Sequence, residues 1–163
     1  MSNQKSRDWD RYIKNIRSSV DDVWLIARWF SNKGYSVRIP PTTYASKPEE
    51  RLKHVDQGDL YVTIKGKEER IEVKALTKCF TCKDDWWHKT EVVICSIQSF
   101  DYADPKPLVY IMLNQAKTHA IFVKSESKQH WFVKRLTDKR YEHMVQDFYV
   151  SPVDHVTFSA IEL

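Results

Sequence analysis

Glycine is scarce in this chain. Three glycines stand among 163 residues, at 34, 58 and 66. Glycine reaches backbone conformations that other residues avoid, so each one is read as a point of punctuation. Long apolar runs are missing too. Nothing approaches the ~18 residues a membrane span requires, and the N-terminus stays polar past residue 10, unlike a secretory leader. These absences predict a cytoplasmic protein with no membrane partner. Three cysteines are too few for a disulfide framework and fit a reducing compartment. Cys79 and Cys82 form a lone Cys-x-x-Cys with no second pair, so ordinary thiols are expected in place of a zinc site.

Net charge is also small, at +4, and unevenly placed. Residues 1–40 carry eight Lys/Arg against four acids, whereas residues 41–163 carry eighteen of each sign. The basic excess therefore lies on the N-terminal segment. Arg7, Arg11, Lys14 and Arg17 are its expected contacts to a polyanionic backbone.

Aromatic residues, by contrast, are plentiful: six Trp, eight Tyr and seven Phe. Most are expected in a core, where aromatic rings bury large areas. Trp86-Trp87 is the exception, because adjacent residues do not readily share one core face. Trp86 is taken as an exposed base-stacking ring, with Lys78 nearby as a phosphate contact.

The length predicts one domain spanning residues 1–163. Residues 1–8 are polar and read as a frayed start. From Trp9 to Phe30 the apolar residues recur with a helical period. Ser18-Ser19 suggests a bend that divides this stretch into two helices. Gly34 closes the helix, and Tyr35 to Ile39 alternates as a strand. Residues 42–55 read as a loop, with a helical turn at Pro48–Lys53 as the alternative. Leu60–Ile64 and Glu69–Ala75 read as two strands of a hairpin turning at Lys65-Gly66-Lys67. Residues 76–90 read as a loop. Residues 108–113 and 120–123 read as strands, with 131–133 a further candidate; 92–97 is a short apolar run, residues 136–147 read as a short helix or loop, and Phe148-Tyr149-Val150 precedes Ser151-Pro152. A helix followed by many strands predicts an α/β protein of α+β character. In it the N-terminal helix packs on a central mixed sheet, and extra strands follow toward the C-terminus.

Chemistry is concentrated in the hairpin. Glu72 and Lys74 are two apart on a strand and share a face, while Val73 points to the other. Pairing around the Gly66 turn brings Asp59 opposite residues 72–74. Asp59, Glu72 and the Val73 backbone carbonyl are hard oxygen donors suited to Mg²⁺, or Mn²⁺ in its place. Such an ion acidifies a bound water and polarises a phosphate. Lys74 beside it orients that water or stabilises developing charge. Asp59, Glu72 and Lys74 are the expected catalytic residues.

An aspartate, a hairpin and then Glu-x-Lys on a strand resembles the PD-(D/E)xK nuclease superfamily, which has the restriction-endonuclease-like fold. The helix before a Gly34-Tyr35 turn and strand is similar to the start of that core. The likeness is strongest over residues 19–75 and looser over 92–123. Gly58 stands where many members have proline. The resemblance implies a Mg²⁺-dependent deoxyribonuclease, an endonuclease acting on DNA. Given the small size, a structure-selective, phage-type or Holliday-junction-resolvase-like homodimer is implied, in the host cytoplasm if phage-encoded. It also implies an acid from the first helix, Asp21 or Asp22, of which Asp22 is favoured because Asp21 can cap the helix, with Glu49 and Glu50 as loop alternatives. Gln98 stands where members often carry a glutamine or lysine on the next helix. The competing expectation is a non-catalytic nucleic-acid-binding or assembly module on the same fold.

Overall fold

Residues 2–41, 57–138 and 144–163 are described by a computed structural model, with the backbone alone for residues 2–9, 11, 12 and 15–17. One continuous helix, α1 (Ser2–Asn32), replaces the frayed start and the two helices expected from sequence. Serine costs a helix interior only a few tenths of a kcal/mol, about 0.5, so Ser18-Ser19 does not break it. Its end is a Schellman motif. Gly34 has φ +87°, its N–H donates to the Ser31 carbonyl at 2.9 Å, and the Tyr35 N–H reaches back to Phe30 at 3.2 Å. Among the described residues no helix is long and apolar enough to cross a membrane.

The strands in chain order are β1 (Ser36–Arg38), β2 (Leu60–Ile64), β3 (Lys67–Ala75), β4 (Glu91–Ser96), β5 (Val109–Leu113), β6 (His119–Lys124), β7 (Phe132–Asp138), β8 (Met144–Pro152) and β9 (Thr157–Ala160). A short helix, α2 (Ile97–Asp101), follows β4. Six strands form one mixed sheet in the order β1-β2-β3-β5-β6-β9. Within it, β3 and β5 run parallel and the other pairs antiparallel. The remaining strands form a second sheet, β4-β8-β7. The architecture is a mixed α/β fold with few helices.

Two cores lie on opposite faces of the large sheet. On one face, Val23 and Ile26 of α1 pack against Leu60, Val62, Ile71, Ile111 and Leu113. On the other, Tyr110, Met112, Ile121 and Val123 meet Val92, Ile94 and Cys95 of the second sheet, together with Phe80, Trp86 and Trp131. All five residues of β5 are buried, as expected of a strand covered on both sides.

The segment read as a helix or loop over 136–147 is instead strand on both sides of residues 139–143, which lie outside the described residues. Its charged residues hide the alternation, and seven cross-strand pairs between β7 and β8 decide the outcome. β9 is not expected from sequence. It carries one large apolar residue, Phe158, and owes its form to pairing with β6.

Asn114, only 3% exposed, joins the loop after β3 to the turn after β5. Its amide donates to the Phe80 carbonyl at 2.8 Å, and its oxygen accepts from the Thr118 and His119 N–H groups at 2.9 and 3.3 Å. Asn114→Ala leaves the buried Phe80 carbonyl without that partner and is expected to cost about 2 kcal/mol. Urea unfolding followed by tryptophan fluorescence checks this.

Candidate metal and phosphate site

The hairpin register builds the site. Leu60 pairs with Ile71 and Tyr61 with Arg70. One step further along this antiparallel ladder, Asp59 stands opposite Glu72. Arg70, Glu72 and Lys74 alternate onto one face of β3. Their partners across the parallel ladder are Tyr110 for Glu72 and Met112 for Lys74. Tyr110 and Met112 belong to the core beneath the second sheet, so this charged face is largely withdrawn from water.

Charges removed from water need partners, and each one here has them. Arg70 is 4% exposed, and its Nε donates to Glu72 Oε1 at 2.6 Å. β2 does not extend far enough to pair with Val73, and the Val73 N–H instead donates to Asp59 Oδ2 at 2.7 Å. The Lys74 ammonium donates to the Ile94 carbonyl, and lies 5.6 Å from the centre of the Tyr110 ring. Ile94 is the bulged residue of β4: Val93 pairs with Val150 and Cys95 with Tyr149, leaving Ile94 outside the ladder. The bulge thus supplies the carbonyl that anchors Lys74.

Gly58 is required twice over. Its φ is +87°, and a Cβ there would sit 2.7 Å from Arg70 Nε. The glycine turns the chain into β2 and makes room for the buried guanidinium. Arg70 is not among the residues that sequence reasoning singles out. The available signal is its position two residues before Glu72, on the same strand face. Cys95 and Tyr110 escape that reasoning as well. They belong to the core behind the site, and burial pushes both the Cys95 thiol and the Tyr110 hydroxyl up.

The donor set fits a hard divalent cation. Two carboxylates in register and the Val73 carbonyl are hard oxygen donors of the kind taken by Mg²⁺, which keeps several waters. Among the described residues no group of three or more His, Cys, Asp or Glu could hold a metal, so such an ion would rely on this pair.

Other expected residues are placed elsewhere. Asp22 is not brought to the site. It forms an ion pair with Lys117 at 2.8 Å, and α1 packs on the opposite face of the sheet. Glu49 and Glu50 lie outside the described residues, as do the side chains of Arg7, Arg11 and Arg17. Lys14 is exposed on α1. Gln98 is exposed on α2.

Trp86 is a correction. It is 4% exposed, with its indole N–H donating to the Glu91 carbonyl at 3.0 Å. Its ring packs edge-on against Phe80 at 5.2 Å between centroids. The exposed ring is Trp87, at 56%, with the Lys78 ammonium 4.7 Å from its centre. Of two adjacent tryptophans the core takes the first, because its N–H finds a backbone acceptor there.

Asp85 ties the same loop together by accepting from the Thr81 and Cys82 N–H groups. The Cys82 and Thr81 N–H groups, and then the Thr81 hydroxyl, hold its carboxyl down at about 2. No protein-family model, curated protein or solved structure matches the chain.

Two outcomes follow from this geometry. Gly58→Ala is expected to destabilise the fold by at least about 1–2 kcal/mol from the left-handed backbone alone, with displacement of Arg70 added; urea titration measures it. Because the folded pKa of Asp85 is depressed, its contribution is full above the ordinary value of 3.8 and is lost as pH falls through about 2. The exposed Trp87 reports on this loop. Its fluorescence should therefore change between pH 4 and 2, and that change should vanish in Asp85→Asn.

Proposed function

We propose that this chain is a Mg²⁺-dependent nuclease that hydrolyses phosphodiester bonds of DNA, built on a restriction-endonuclease-like core. The observation that carries this reading is the β2–β3 register. It sets Asp59 opposite Glu72, with Lys74 next on the same face. The order of a helix, a three-strand antiparallel meander and then a parallel strand beside β3 supports the same core. The resemblance of the Asp, hairpin and Glu-x-Lys pattern points the same way.

In this reading Asp59, Glu72 and the Val73 carbonyl hold Mg²⁺, for which Mn²⁺ can substitute. The bound ion would acidify a water and share the phosphate's charge. Lys74 contributes a fixed ammonium. Its bond to the bulged Ile94 carbonyl holds the side chain in place, and it can donate to a phosphate oxygen or orient the attacking water. Lys78 and Trp87 offer a phosphate contact and a stacking surface on the loop that leaves β3. The basic residues of α1 would track the DNA backbone. Small size favours a structure-selective, endonucleolytic action by a homodimer, as in phage-type or junction-resolving enzymes.

One observation favours a second reading, a nucleic-acid-binding module without catalysis: Glu72 already has a cationic partner in Arg70. Cleavage assays separate the two. Wild-type protein with Mn²⁺ is expected to cut at least one of linear, nicked, flapped or branched DNA. Asp59→Asn and Lys74→Met should each lower the rate about a hundredfold or more, while binding to the same DNA persists. Wild-type protein that binds these substrates and RNA but cuts none of them overturns the enzyme reading in favour of the binding module.

A further inference from the structure

Among the described residues the site brings together two acids, Asp59 and Glu72, and two bases, Arg70 and Lys74, on or opposite one face of β3. Arg70 is the unusual member. A solvated strand face would leave an arginine extended into water, yet this one is 4% exposed beside a Glu72 that is 15% exposed. It has been given space by a glycine whose missing Cβ would collide with Nε. A guanidinium does not shed its proton in a protein, so this charge is permanent. Its 2.6 Å bond to Glu72 Oε1 is short and charge-assisted.

We propose that Arg70 is a built-in counter-cation for the metal carboxylates, which keeps divalent-ion affinity low until a phosphodiester supplies further negative charge. The proposal rests on the metal-site reading above and deepens it. A divalent ion entering at Asp59 and Glu72 meets, in Glu72, a carboxylate that is already paired with a cation. Arg70 and Lys74 then oppose it at short range, in surroundings where charges are weakly screened. A nucleic-acid phosphate arriving with the ion restores the balance. The metal and the phosphate at this site therefore strengthen each other's binding, and the ion alone binds weakly. Arg70 acts through Glu72 and is a positioning residue. It is not a catalytic residue.

The test is metal binding, measured apart from cleavage. Mn²⁺ is titrated into wild-type protein, Arg70→Gln and Asp59→Asn without nucleic acid, and free Mn²⁺ is read by electron paramagnetic resonance. Arg70→Gln is expected to bind roughly tenfold or more tightly than wild type, and Asp59→Asn to lose binding. A folded Arg70→Gln protein with unchanged or weaker affinity overturns the proposal and leaves the metal site standing. No Mn²⁺ binding by either wild type or Arg70→Gln overturns both. Should Arg70→Gln fail to fold, the wild-type protein decides the matter. During a Mg²⁺ titration the Arg70 Nε–H resonance should move in step with the site's other shifts. An Nε–H resonance that stays fixed at saturating Mg²⁺ overturns the proposal.

Discussion

A charged strand face closed in beneath a second sheet is the constraint on which the rest of the structure depends. β3 lies between β2 and β5, and on its charged face Lys74 is covered from the side of β4 while Glu72 lies beside Tyr110. Charges placed there must be matched or the fold does not form. Three distant parts of the chain meet that demand. Gly58 and Asp59 at the entry to β2 admit the arginine and hold the Val73 N–H. Glu72 pairs with Arg70. The bulge at Ile94 receives Lys74. The site and the packing of the two sheets are therefore one arrangement.

Pre-assembly of this kind has consequences for chemistry. Groups fixed ahead of a substrate's arrival need little reorganisation when charge develops. The same fixation leaves Glu72 already engaged by a cation, with two positive and two negative side chains gathered here among the described residues. A metal nuclease and a binding module share this geometry, and they differ in whether a divalent ion and a phosphate together can outcompete the internal ion pair. Nearby, the loop after β3 is firmly held by Asp85, Asn114 and the buried Trp86, and it presents Trp87 outward. A ring shown to solvent on an anchored loop loses little entropy on stacking.

Much of the fold is legible in the sequence. β2 matches its apolar run residue for residue, and the Gly66 turn determines the hairpin register because two strands joined tightly have few ways to pair. The juxtaposition of Asp59 and Glu72 is therefore readable from local pattern alone. The place of Asp22 is not. It lies on α1, whose orientation follows from which sheet face its apolar stripe covers, and that face is the far side from Glu72. The choice between Trp86 and Trp87 is likewise hidden, since it turns on whether a backbone carbonyl 5 residues away accepts an indole N–H.

By itself the sequence determined the helix, the hairpin and the identity of the acid and lysine side chains, because these depend on periodicity and on contacts between near neighbours. Only the tertiary structure decided what that strand face would confront. The parallel pairing of β3 with β5 and the docking of β4 are long-range events. They closed the Lys74 ammonium in against the Ile94 carbonyl. Local pattern carries no record of burial imposed by a strand that lies twenty residues further on, at Ile94.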